Sequence, residues 1–161
     1  MSTEPQESGI DAVVRYLDEQ GLAYEVVEHR LTYTAAAEAR AAGVPPADVA
    51  KTIVLRDESG YRLAVIPASE RLDLGKTREV LGDRSLRLAT EREMASAFAA
   101  FEVGAVPPFG PMLPAPEVVD RRLLDHDRIL CSGGDHRHGV LIGPPDIVRL
   151  AEAKVADICE G

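Results

Sequence analysis

Two segments of this 161-residue chain carry side chains and backbone suited to chemistry. The first is Val49-Ala50-Lys51-Thr52-Ile53-Val54-Leu55, an apolar run with one lysine near its head. A cation in such a run either faces a cleft or an anion, or snorkels to water from the strand end. The second is Gly104-Ala105-Val106-Pro107-Pro108-Phe109-Gly110. Two prolines fix the path of this loop and remove two N–H donors, so few remain to point inward. Gly104 is the residue best able to let backbone approach a ligand closely. A charge at a strand mouth beside a stiff loop implies a pocket for a small, partly anionic ligand.

Other polar residues are weaker candidates. Thr52 falls on the opposite strand face from Lys51. Ser69 follows the apolar run ending in Ile66-Pro67-Ala68 and either lines the same mouth or caps a helix. Asp73 reads as a helix cap rather than an acid catalyst. His29 ends a first strand, and His136 and His138 flank Arg137 after Gly133-Gly134. A His-x-His pair can bind metal on a strand face, but no third ligand is evident, so no metal or other cofactor is expected. His138 suits a polar pocket wall or proton relay, and His136 is expected to face solvent. There is no Gly-x-Ser-x-Gly and no P-loop. Cys131 and Cys159 form neither a disulfide framework nor a metal motif and read as reduced cytosolic thiols. An enzyme built from this set relies on positioning and on groups the substrate supplies.

The elements that must hold these residues follow from pattern and punctuation. Residues 1–7 read as a flexible tail and 8–161 as a single domain. Ser8 with Asp11 opens a helix carrying Ile10, Val13, Val14 and Leu17 on one face, stopped by Gly21. Residues 22–29 read as a strand, Thr34–Arg40 as a short helix ended by Gly43, and 45–48 as a turn. Lys51–Arg56 and Tyr61–Pro67 form a hairpin around Asp57-Glu58-Ser59-Gly60, central by its near-continuous apolarity. A helix spans 72–81 and a short strand 86–89. Thr90 and Glu93 then make a capping box, with Met94, Ala97, Phe98 and Phe101 turned inward. Strands at 117–120, 129–132 and 140–142 precede a last helix from Pro144. The irregular mix predicts an α+β fold: a mixed, largely antiparallel, barrel-like sheet surrounded by helices.

Bulk composition narrows the partners. Net charge is −9, with 45% hydrophobic and 28% charged residues. That charge opposes a broad grip on nucleic-acid backbone, and DNA is not an expected partner. It leaves room for a local basic pocket, for which Lys51, Arg71, Lys76 and Arg78 are candidates. No apolar run approaches the length of a membrane span, and the N-terminus lacks a signal pattern, so a cytoplasmic protein is expected.

The ordered set Glu28-His29 with Thr34, Val49-Ala50-Lys51-Thr52, Leu63–Ala68, Leu88-Ala89-Thr90, Gly104–Gly110 and Gly133-Gly134 resembles the YbaK/prolyl-tRNA-synthetase-associated domain family. The resemblance runs over roughly residues 8–155. It implies a trans-acting hydrolase that cleaves the ester of mischarged aminoacyl-tRNA, without metal, with prolyl-tRNA synthetase as a partner. It implies that Lys51 holds the 3′-terminal adenosine or its phosphate and that Gly104 acts at the reacting carbonyl. Val106, Pro107 and Pro108 would line the aminoacyl pocket, with His29, Thr34, Thr52, Ser69 and His138 as neighbours. The segment Asp135-His136-Arg137-His138 matches no one subgroup, which leaves the amino acid removed open. The alternative is a non-catalytic module of the same fold that binds a nucleotide or a partner.

Overall fold

A computed structural model describes residues 8–161; the tail expected at 1–7 lies outside the described residues. Helix α1, Gly9–Glu19, buries Val13 and Leu17 completely. The capping box expected of Ser8 and Asp11 does not form; the Gly9 N–H donates instead to the Ala100 carbonyl, 2.7 Å away. Strand β1 is Glu25–Glu28. Helix α2, Ala35–Ala42, opens at Thr34, whose Oγ1 accepts from the Ala37 N–H at 3.0 Å, and closes at Gly43 in the left-handed region. These caps satisfy backbone groups that a two-turn helix cannot bond internally.

Strands β2, Ala50–Arg56, and β3, Tyr61–Pro67, form the hairpin, with Lys51 opposite Ile66 and Thr52 opposite Val65. Asp57 Oδ1 closes the turn by accepting from the N–H groups of Ser59 and Gly60, each at 2.7 Å. Helix α3, Leu74–Leu81, is capped by Asp73, which accepts from the Lys76 N–H at 3.0 Å. Strand β4 is Arg87–Leu88, and helix α4, Glu91–Ala97, carries the full Thr90–Glu93 capping box. Phe98 and Phe101 are buried, whereas Ala97, expected inward, is exposed where α4 ends. Strands β5, Glu117–Asp120, β6, Ile129–Ser132, and β7, His138–Ile142, precede helix α5, Pro144–Ala151. A final strand not anticipated from the sequence, β8, is Lys154–Ala156.

The expected mixed architecture is present, but the strands divide into two sheets and do not close into a barrel. One runs β1-β7-β6 and the other β4-β2-β3-β5-β8, with β3 at the centre. The β3–β5 and β5–β8 pairs are parallel and the other four antiparallel. A single bridge from Val49 to Leu130 joins the sheets where β2 begins. Their inner faces share one core containing Val54, Leu63, Val65, Phe109, Val119, Ile129 and Val140. Lys51 therefore sits where the two sheets meet.

The C-terminal segment is fastened by Asp120, which is fully buried. Its Oδ2 accepts from the Ile158 N–H at 2.9 Å, and its Oδ1 from the Arg122 N–H at 3.0 Å. Arg122 also bonds Asp157 at 2.9 Å, and Lys76 reaches both Asp157 and the Cys159 carbonyl. Asp120→Ala strips the buried Ile158 N–H of its acceptor and leaves the Arg122 guanidinium with Asp157 alone. It is expected to lower stability by about 2–3 kcal/mol, read as a shift of the urea midpoint. An unchanged midpoint would show that the C-terminal strand docks without this carboxylate.

Candidate functional site

A cavity of about 390 Å³ opens where β2, the start of α2 and the Gly104–Gly110 loop converge. That volume suits a small ligand. Lys51 and Thr52 stand on one wall, and Thr34 and Glu38 on another, with Tyr33 at the rim and 68% exposed. Gly104, Ala105, Val106, Ser132, Asp135 and His136 form the third, while Leu88, Ala89 and Met94 make an apolar side. Lys51 is exposed, and among the described residues no hydrogen bond or ion pair engages its ammonium group. Thr52 Oγ1 is shielded from solvent and has no hydrogen-bond partner among the described residues.

The loop wall is held from behind. Ser132 on β6 donates its hydroxyl to the Ala105 carbonyl at 2.7 Å. His136 Nε2 lies 2.8 Å from the Val103 carbonyl; a carbonyl only accepts, so that nitrogen carries the proton. The His136 ring also packs against Tyr33, with centroids 5.0 Å apart. Gly104 has φ +85°, where a side chain is strained, and a Cβ there would approach His136 Cε1 to 3.5 Å. With these anchors in place, the N–H groups of Gly104 and Val106 have no acceptor among the described residues. Two fixed, unpaired donors on a cavity wall can stabilise an anionic oxygen.

The acidic side of the cavity is built from α2. Glu38 is 7% exposed, yet it lines the cavity. Its Oε2 lies 3.0 Å from His29 Nε2. His29 Nδ1 is 2.7 Å from the Arg30 carbonyl and must donate to it. One proton therefore lies between Nε2 and Oε2, on the carboxyl or on the imidazole. Burial raises the Glu38 pKa above its usual value, and the His29 hydrogen bond partly opposes the shift.

Of the residues expected at the site, the fold brings Lys51, Thr52, Thr34, Gly104 and Val106 to the cavity wall. Thr34 also spends its hydroxyl oxygen as the α2 cap. The others lie elsewhere. His29 sits behind Glu38, its side chain fully buried. Pro107 and Pro108 are buried beneath the loop, stiffening it from the core side. Ser69 is exposed in the turn after β3 and caps nothing; Ala68 takes the wall position. His138 is turned back onto Asp135, with Nδ1 2.9 Å from Oδ1. His136, expected to face solvent, is 8% exposed and lines the cavity. Of the proposed basic group only Lys51 is on the wall. Lys76 binds Asp157, Arg78 donates to the Leu86 carbonyl, and Arg71 is also off the wall.

Glu38, Tyr33, Ser132 and Asp135 are wall residues that the sequence pattern does not single out. Among the described residues no three His, Cys, Asp or Glu side chains are grouped to hold a metal ion, and no helix is long and apolar enough to cross a membrane. Both cysteines are free and buried. Burial pushes the Cys131 thiol well above its usual pKa and that of Cys159 up to about 12.

The chain belongs to the aminoacyl-tRNA editing domain family, whose model matches residues 29–150. Prolyl-tRNA editing protein ProX of Acetoanaerobium sticklandii is 26% identical over 149 residues, spanning 88% of this chain and 90% of that protein. The proline–tRNA ligase of Shouchella clausii is 30% identical over 107 residues, 66% of this chain but only 19% of the ligase. That of Thermotoga neapolitana is 35% identical over 68 residues, 42% of this chain and 12% of the ligase. The chain thus spans a small part of the ligases it matches. A crystal structure of a candidate trans-editing enzyme for prolyl tRNA synthetase superposes with TM-score 0.86 at 32% identity, covering 98% of this chain and all of that one.

Proposed function

We propose that this chain is a trans-acting aminoacyl-tRNA deacylase that hydrolyses the ester joining a wrongly attached amino acid to the 3′-terminal adenosine of tRNA, on tRNAs of the proline type. The observation that carries this reading is the pairing, in one cavity, of an unpaired lysine with two unpaired backbone N–H donors on a rigid loop. Lys51 binds the phosphate and ribose end of the substrate. The ester carbonyl lies against the N–H groups of Gly104 and Val106, which receive negative charge as the oxygen becomes an oxyanion.

A water molecule adds to the carbonyl carbon, the bond to the ribose oxygen breaks, and that oxygen leaves with a proton as the free tRNA hydroxyl. The amino acid is the other product. Among the described residues no serine or threonine on the cavity wall is placed as a nucleophile: Ser132 is bonded to Ala105, Thr34 caps α2 and Thr52 Oγ1 is shielded. Positioning of an already activated ester supplies the rate. The relatedness to an editing protein along 90% of that protein's length supports action in trans. The acidic net charge of −9 supports a partner, prolyl-tRNA synthetase, in selecting the tRNA body.

The test is deacylation of tRNA-Pro charged with alanine, cysteine, serine or proline, with and without prolyl-tRNA synthetase. Hydrolysis of one mischarged species, with prolyl-tRNA spared, is the expected result. No hydrolysis of any species, alongside measurable binding of adenosine nucleotides, would instead make the cavity a nucleotide-binding module.

A further inference from the structure

The mechanism above leaves one buried group on the cavity wall unused. Glu38 is more than nine-tenths buried, and among the described residues it has no lysine or arginine partner and one ion-pair contact, His29. His29 engages Oε2 alone, and Oε1 has no hydrogen-bond partner among the described residues. The other carboxylate on the wall is already committed. Asp135 accepts from the Arg137 N–H at 2.9 Å and the Ile10 N–H at 3.3 Å, and it holds His138 at 2.9 Å. Oε1 is not sealed from solvent, so it is open to a donor from the cavity, and a ligand that brings a charged donor replaces water there.

The cavity therefore presents two separate polar ends. Lys51, on β2, is a cation without an anion, and Glu38, on α2, is a carboxyl with one open acceptor. They do not pair with each other. A ligand that fits both ends carries an anionic group at one end and a donor-rich cation at the other. An aminoacyl nucleotide has this form, with phosphate beyond the ribose and an α-ammonium group beside the ester carbonyl.

We propose that Glu38 anchors the α-ammonium group of the aminoacyl substrate through Oε1, with His29 as the positioning residue that pins Oε2. This rests on the deacylase reading and adds a selection rule to it. The charge-assisted bond from ammonium to Oε1 fixes the rotation about the bond between the α-carbon and the carbonyl. The ester oxygen is thereby turned toward the Gly104 and Val106 N–H groups. An acylated α-nitrogen has lost its charge and two of its three hydrogens, and its added bulk faces the buried α2 wall. Esters blocked at the α-nitrogen, such as peptidyl- or formyl-aminoacyl-tRNA, are excluded.

The test uses two stable analogues, 3′-amino-3′-deoxyadenosine 5′-phosphate acylated on its 3′-nitrogen with alanine or with propionic acid. They differ only in the α-ammonium group. The wild-type protein is expected to bind the alanyl compound at least ~10-fold more tightly by calorimetry, the scale of one charge-assisted hydrogen bond. In Glu38→Gln, which keeps an oxygen acceptor and the shape, the preference falls to within about twofold. Alanyl-tRNA-Pro and its N-acetyl form supply the kinetic counterpart, with kcat/KM for the acetylated ester reduced at least as far.

Equal wild-type affinity for the two analogues, binding of neither, or a preference that survives Glu38→Gln would overturn the assignment. The wild-type comparison needs no variant and so does not depend on how Glu38→Gln folds. Hydrolysis that ignores N-acetylation would remove the Glu38 anchor and leave the deacylase reading intact. A Glu38-dependent preference without hydrolysis of any charged tRNA would keep the anchor and remove the deacylase.

Discussion

Lys51→Ala is expected to lower kcat/KM for deacylation of the mischarged tRNA by on the order of 10²–10³-fold, with the melting temperature unchanged. The two halves of this expectation have separate causes. Lys51 is exposed and makes no ion pair or hydrogen bond among the described residues, so its removal costs the fold almost nothing. Its strand is held by the backbone ladder to β3 and by Ala50 and Val54, which face the core. In the complex, the same ammonium group is the cation on the cavity wall that meets the phosphate and ribose. A chain of net charge −9 has little long-range attraction for tRNA to replace it. Lys51→Arg retains the charge but carries a wider, planar head group, and it is expected to recover part of the loss. A Lys51→Ala protein with wild-type kcat/KM would remove the lysine from the mechanism.

Local pattern carried much of the architecture, and the site was legible only where it depends on local pattern. The β2–β3 hairpin was readable because its apolar arms flank an Asp-x-Ser-Gly turn whose bonding is internal to four residues. The same holds for the α4 capping box. Lys51 and the Gly104 loop stood out because a charge in an apolar run and a proline-stiffened loop are both locally anomalous.

Glu38 carried no such mark. It lies in Ala35-Ala36-Ala37-Glu38-Ala39, where a glutamate looks like the solvent face of a weak helix. The packing of α2 against Val49, Leu130 and His29 buries it. His136 misled for the opposite reason. The spacing His136-Arg137-His138 suggests two histidines on one strand face, but β7 begins at His138. His136 belongs to the turn before it, where its backbone carbonyl accepts from the Thr32 N–H and its ring bonds Val103. The parallel strand β8 depends on docking against β5, a contact 36 residues away in the register Val118–Lys154, and no hairpin turn announces it.

Glu117→Gln is expected to stabilise the protein at neutral pH, and by more as pH rises. Glu117 opens β5 and is 4% exposed. Its Oε1 accepts from the Gly110 N–H at 3.0 Å, and its Oε2 is buried without a partner or a countercharge among the described residues. Gly110 cannot carry a side chain, which would collide with the Ala115 carbonyl, so the loop and this carboxyl are locked together. Burial raises the Glu117 pKa from 4.5 to about 9, and the Gly110 bond opposes the shift only in part.

The folded chain therefore takes up a proton that the unfolded chain releases above pH 4.5. The stability this group contributes is fully present below that pH and is lost progressively as pH rises toward 9, at up to ~1.4 kcal/mol per pH unit. Gln keeps the oxygen that Gly110 needs and has no proton to gain. Near pH 4.5 the variant should unfold at a lower urea concentration than the wild type, by the cost of one more unpaired buried N–H, about 1–2 kcal/mol. Near pH 7.5 it should be more stable by about 1–3 kcal/mol, the integral of that slope less the same cost. Urea midpoints for both proteins from pH 4.5 to 8.5 provide the measurement. Parallel lines would mean that Glu117 is ionised in the folded state, with a cation or water reaching Oε2.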